Sequence, residues 1–121
     1  MEALQIKTLS RIQFVDITDH VRDAVAKSRV KEGIVIVYVP HTTAGVTINE
    51  SADPAVVEDI NTTLSHLIPH KGNYRHSEGN ADAHIKASLM GSSVTIIISD
   101  GSLVLGTWQG VFFCDFDGPR T

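Results

Sequence analysis
Gly33-Ile34-Val35-Ile36-Val37-Tyr38-Val39, closed by Pro40, is a run in which five of seven residues are valine or isoleucine. Side chains branched at Cβ have few rotamers and suit a pleated backbone. The run is continuous rather than alternating, which predicts a strand covered on both faces. Pro40 ends it, because proline cannot donate to a ladder. A second run of this kind, Val94-Thr95-Ile96-Ile97-Ile98-Ser99, predicts another buried strand. Asp100-Gly101 after it is a hairpin turn signal, from which Leu103-Val104-Leu105 returns.

The other elements follow from period and punctuation. Strands are expected near 3–8 and 12–17, where Leu4, Ile6, Ile12 and Phe14 alternate with polar residues around a Ser10-Arg11 turn. A helix over about 18–30 has Thr18 or Asp19 as its cap, Val21, Ala24, Val25 and Ser28 on one face, and Gly33 just beyond its end. Val46-Thr47-Ile48 gives a strand ending at Asn49-Glu50. A long helix over about 53–68 starts at Ser51 or Asp53 with Pro54 in the first position, buries Val57, Ile60, Leu64 and Leu67, and stops at Pro69. A short helix carries Asp82 in its first turn, with Ile85 and Leu89 on one face and Gly91 at its end. After a turn or bulge at Gly106-Thr107, Trp108 to Phe116 form the last strand. The order ββαββαα(short)βββ predicts a single α+β domain over 1–121, with a largely antiparallel sheet layered against two main helices and one short one.

The chain has 121 residues, 42% of them hydrophobic, which is one domain with a core. A net charge of −4 argues against nucleic acid or an anionic membrane as the main partner. No stretch approaches the ~20 apolar residues of a membrane span, and the N-terminus shows no signal core, so a cytoplasmic setting is expected. Cys114 is the one cysteine and reads as a packed residue. His20 reads as a surface histidine. His66 and His70 are four apart and would matter only if a third ligand met them.

Three polar clusters stand out. Tyr74-Arg75-His76-Ser77-Glu78-Gly79-Asn80-Ala81-Asp82-Ala83-His84-Ile85-Lys86-Ala87 holds two imidazoles, two cations and two carboxylates between a long helix and a strand. His41-Thr42-Thr43-Ala44-Gly45 follows a buried strand, with Asn49 and Glu50 at the far end of the next one. Gly106-Thr107-Trp108-Gln109-Gly110 offers an indole to stack on a flat ring and an amide to read its edge. Two assemblies can be built from these pieces. In one, His41, His76 and His84 hold a divalent metal such as zinc or magnesium, with Glu50 as fourth ligand or base and Asp82 in reserve. In the other, Arg75 and Lys86 grip phosphate oxygens at a helix start while His41, His84 or Glu50 acts as acid or base. Thr42, Asn49, Thr107, Trp108 and Gln109 complete the substrate side. The bland reading of each cluster is a hydrogen-bonded turn or a solvated loop.

His41-Thr42-Thr43-Ala44 with Asn49-Glu50, Tyr74-Arg75-His76 with Glu78-Gly79, Ala83-His84-Ile85-Lys86-Ala87 and Leu105-Gly106-Thr107-Trp108-Gln109-Gly110 together resemble the YjbQ-like family. The resemblance runs from about residue 10 to 120. It implies a single-domain α+β fold assembled as a homotrimer. It also implies a weak, secondary thiamine-phosphate synthase activity, which joins an aminopyrimidine methyl diphosphate to a thiazole phosphate and releases pyrophosphate. Some members carry a longer acidic insertion where this chain has only Asn80-Ala81-Asp82. The rival expectations are a small-molecule binder without turnover, and a structural or regulatory trimer whose polar clusters join subunits.

Overall fold
The structure, a computed structural model, describes residues 1–121. Its regular elements are β1 (Gln13–Asp16), α1 (Thr18–Ser28), β2 (Gly33–Tyr38), β3 (Ala44–Glu50), α2 (Pro54–Leu67), α3 (Ala81–Met90), β4 (Ser93–Ser99), β5 (Ser102–Leu103) and β6 (Gln109–Asp115). The α+β class holds, as does the antiparallel pairing. The strands form two three-stranded sheets, β1-β6-β3 and β2-β4-β5.

The expected strand at 3–8 does not form. Residues 1–9 have no regular structure. They are tied down at Thr8, whose N–H donates to the Arg120 carbonyl at 2.8 Å and whose hydroxyl donates to Asp115 Oδ2 at 2.7 Å. The α1 cap also differs from expectation. Asp16 Oδ1 accepts the Thr18 N–H at 2.9 Å, so the capping carboxylate stands two residues before the helix. Asp53 caps α2 as expected, accepting the Ala55 N–H at 2.9 Å ahead of Pro54.

The β1-β6-β3 sheet is the middle of the molecule, and its alternation supplies two cores. One face carries Val46, Val111 and the partly covered Val15, Ile48 and Phe113. That face meets Ile17 and Val21 of the α1 region and Val35, Val37 and Ile96 from the other sheet. The opposite face carries Phe112, Cys114, Phe116 and Phe14 against Ala83 and Ala87 of α3 and Val57 and Leu64 of α2. Phe14 and Phe116 meet edge to face with centroids 5.9 Å apart. Gly45 lets α3 end close over β3, since a Cβ there would stand 2.6 Å from the Gly91 carbonyl oxygen.

The central sequence expectation is half corrected. β2 is a strand, but only one of its faces is covered. Val35 and Val37 pack inward, whereas Ile34, Ile36 and Tyr38 are 60%, 61% and 64% exposed. In the register, Ile34 faces Ile97, and the Val104 N–H donates to the Ile97 carbonyl. Ile97 and Val104 are likewise more than half exposed. A continuous apolar run therefore did not mark two covered faces here: alternate residues of β2 are covered and open. On α2, Leu67 is exposed rather than buried, and none of the helix's residues is fully buried.

Candidate functional site
α3 decides which members of the polar clusters meet. Side chains three or four apart share a helix face, and those two apart do not. Asp82, Ala83, Lys86 and Ala87 are buried on its inner side, while His84 is half-buried and Ile85 and Leu89 are exposed on its outer side. The expectation that His84 and Lys86 line one pocket is therefore corrected.

Lys86 is 1% exposed, and its Nζ donates to Asp82 Oδ2 at 3.2 Å. Asp82 is fully buried and also takes a forked pair from Arg11, with Nη2 to Oδ1 at 2.9 Å and Nη1 to Oδ2 at 3.2 Å. Burial pushes the Asp82 carboxyl up, but the hydrogen bonds and charges of Arg11 and Lys86 together outweigh it and leave it below its usual 3.8. Asp82 is thus committed to a buried ion triad, neither a reserve metal ligand nor a replacement for an insertion. Arg11 was missed in the sequence. It sits in a turn 71 positions from its partner and carries no local signal.

The outer side of α3 carries the converged histidines. The His84 and His76 rings meet edge to face with centroids 5.0 Å apart. His76 Nε2 lies 3.9 Å from Glu78 Oε2, and both side chains are partly exposed. The loop before α3 is held by His70, whose Nε2 is 2.9 Å from the Gly79 carbonyl, and by Tyr74, whose hydroxyl donates to the Pro69 carbonyl. His70 thus serves the loop and forms no pair with His66. Arg75 is exposed on the same loop, beside His76.

His41 and Thr42 are exposed just before β3, where the Thr43 carbonyl accepts the Phe116 N–H at 3.1 Å. They lie at the α3 end of the middle sheet. Asn49 and Glu50 lie at the opposite end, where Glu50 pairs with Gln109. Six strand steps separate Ala44 from Glu50, roughly 20 Å at about 3.3 Å each. His41, Glu50 and His84 therefore do not act on one atom within one chain. No group of three or more His, Cys, Asp or Glu side chains in the chain is placed to hold a metal ion. His76 and His84 supply two nitrogen donors, and a set with His41 is not assembled by a single copy.

The third cluster builds a different place. Thr107 and Gln109 line a recess of about 370 Å³ with Asp16, Thr18, Asp19, Arg22 and Ser51. Gln109 Oε1 accepts the Gly106 N–H at 2.8 Å, so its amide oxygen serves its own turn. The Trp108 carbonyl accepts the Ser51 N–H at 2.8 Å, and Trp108 is 61% exposed.

This domain, with its paired histidines at the start of α3, matches a family of α+β proteins along its whole length. The model of the UPF0047 protein YjbQ-like family matches residues 2–121. The chain belongs to that family. A UPF0047 protein of Methanocaldococcus jannaschii is 62% identical over 116 residues, covering 96% of this chain and 84% of the relative. The crystal structure of an uncharacterised conserved protein of the yjbq/upf0047 family from Clostridium acetobutylicum is 57% identical, with a TM-score of 0.94 over 95% of this chain and 89% of that one. A YbjQ-like protein of unknown function from Sulfolobus solfataricus is 36% identical, with a TM-score of 0.92 over 96% and 85%.

Proposed function
We propose that this protein binds a small phosphorylated molecule at the His76–His84 pair and acts on it by acid–base chemistry. The observation that carries the reading is the edge-to-face contact of two imidazoles, ring centroids 5.0 Å apart, on the open side of α3, with exposed Arg75 preceding His76 in the chain. Imidazole changes charge near neutral pH, and a guanidinium forks onto phosphate oxygens. Lys86 is left out of this role because its ammonium is buried and paired.

The candidate reaction is the weak thiamine-phosphate synthesis implied by the family resemblance. In it the bond between the pyrimidine methylene carbon and the diphosphate oxygen breaks, and pyrophosphate leaves with the electron pair. The thiazole nitrogen then bonds to that carbon. Arg75 would offset the charge growing on the leaving group, and His76 or His84 would supply it a proton. A divalent metal is part of the proposal only in an assembly, since one chain offers two imidazoles. The proposed assembly is a homotrimer in the cytoplasm. It is supported by Ile34, Ile36, Tyr38 and Ile97 standing open on the β2-β4-β5 sheet, and no helix is long and apolar enough to cross a membrane.

The test is calorimetric titration with pyrophosphate and thiazole phosphate, followed by a fluorescence assay for thiamine phosphate. His84→Ala and Arg75→Ala are expected to weaken pyrophosphate binding at least tenfold while melting like the parent. Equal binding by parent and variants, or none by the parent, would overturn the reading. Binding without turnover would favour a non-catalytic binder at the same site.

A further inference from the structure
We infer that the recess beside the Glu50 end of β3 is a second binding site, for an uncharged sugar ring carrying neighbouring hydroxyls, free or as the ribose of a nucleoside. The inference goes beyond the histidine site and does not rest on it, since neither His76, His84 nor Arg75 lines the recess.

The recess, of about 370 Å³, lies where β1 runs into α1 and where the turn at 106–108 runs into β6. Asp16, Asp19, Arg22, Ser51, Thr107 and Gln109 reach it, and no lining residue is hydrophobic. Small-molecule pockets are roughly 300–1,000 Å³ and mostly apolar. This one has the size without the apolar walls. An apolar ligand would have nothing to bury against, whereas a ligand made of hydroxyls would find a partner on each wall.

Two of the lining side chains are held by one atom and left with another to offer. Asp16 Oδ1 accepts both the Thr18 N–H, at 2.9 Å, and the Thr18 hydroxyl, which leaves Oδ2 for a ligand. Gln109 Oε1 accepts the Gly106 N–H at 2.8 Å, which leaves its amide NH2. Thr18 is itself buried, and its hydroxyl accepts the Val111 N–H at 2.9 Å. Gly110 keeps this floor tight, since a Cβ there would stand 2.6 Å from Ser51 Cβ and 3.0 Å from Thr18 Oγ1. Groups fixed before a ligand arrives lose little freedom on binding it.

Charge and hydrogen-bonding capacity select the ligand. Asp16 and Asp19 outnumber Arg22, whose Nη1 already donates to Asp19 Oδ1 at 3.3 Å, so the walls disfavour a phosphate or a carboxylate. A carboxylate only accepts, an amide NH2 only donates, and a sugar hydroxyl does both. Adjacent hydroxyls on one ring can therefore donate to Asp16 and accept from Gln109, with Ser51 and Thr107 as further partners. Trp108 stands between two lining residues on the same turn and is 61% exposed, so a base attached to the sugar has an aromatic ring to stack on.

The experiment titrates the isotope-labelled full chain with methyl riboside, the matching deoxyriboside and adenosine, following backbone amide resonances. Methyl riboside should shift the amides of Asp19, Ser51 and the 106–110 segment. The deoxyriboside lacks one hydroxyl of the pair and should bind about tenfold more weakly. Asp16→Asn keeps an oxygen for the Thr18 N–H, and Gln109→Glu keeps one for the Gly106 N–H. Each removes the group offered to the ligand and should weaken riboside binding about tenfold. Thr107→Val, at an exposed turn position, should weaken it several-fold and separates lost contact from lost fold. No shifts at millimolar riboside, shifts centred on Ala81 to His84, equal binding of the two ribosides, or full binding by all three variants would overturn the inference. Adenosine binding about tenfold more tightly than the riboside, with the gain lost in Trp108→Ala, would make the ligand a nucleoside. Equal affinity of the two would make it the sugar alone.

Discussion

Replacing Asp82 by Asn should be among the most damaging single changes that leave the exposed histidines in place. The substitution keeps the side-chain size and one neutral acceptor, and it removes a buried negative charge between two cations. Arg11 is 29% exposed and can regain water, but Lys86 is 1% exposed and cannot. Breaking a buried pair by removing one partner costs about 3–5 kcal/mol. The exposure of Arg11 and the retained acceptor lower that here to about 2–3 kcal/mol. For a chain of this length such a loss should lower the melting temperature by about 10 °C. The assay is thermal unfolding by circular dichroism of the parent, Asp82→Asn, Lys86→Met and the double variant. Lys86→Met should lie within about 1 kcal/mol of the parent, because Arg11 still holds Asp82 and the apolar chain suits the site. The double variant should recover at least half of the Asp82→Asn loss. The Asp82 carboxyl titrates lower in the folded chain than in the unfolded one. Its stabilisation is therefore present above the ordinary carboxylate pKa and drains away as pH falls through the lower, folded value. The gap between parent and Asp82→Asn should be constant over about pH 5–8 and close in acid below about pH 4. An Asp82→Asn protein melting within 1–2 °C of the parent at neutral pH would refute the claim that Lys86 is buried and depends on that charge.

The remaining predictions test other links. Burial pushes the Cys114 thiol up to about 12, so a thiol reagent at neutral pH should leave the folded protein unmodified and react with one equivalent after denaturation. Gly45→Ala places a methyl 2.6 Å from the Gly91 carbonyl oxygen and should cost about 1–3 kcal/mol in a denaturant titration. Asp16→Ala removes the acceptor for the Thr18 N–H and should destabilise by about 1 kcal/mol, with hydrogen exchange rising first in the opening turn of α1.

The elements most legible in the sequence were those whose cause is local. Asp53-Pro54 starts α2 because a carboxylate and a fixed φ suit the first turn. Asp100-Gly101 turns between β4 and β5 because both residues adopt positive φ, at 52° and 75°. The misreadings have one physical origin, which is that alternation and helical period say which side chains share a face but not what covers it. Leu4 and Ile6 alternate like a strand, yet that segment has no ladder and is held at Thr8 by Arg120 and Asp115. Of the candidate site, the pairing of His76 with His84 was legible as a cluster, because a loop and the following helix turn keep them near. Lys86 and Glu50 do not join that pair within one chain, because one turns inward and the other stands at the far end of β3.

The sequence by itself determined the α+β class, most strand and helix positions, membership of the YjbQ-like family and the residues able to carry chemistry, since each depends on side-chain type and short spacing. Only the tertiary structure decided which of them meet. It committed Asp82 and Lys86 to a buried triad with Arg11, set His76 against His84, and left β2 bare on one side. Contacts between residues far apart in the chain depend on how the layers stack, and no local pattern encodes that stacking.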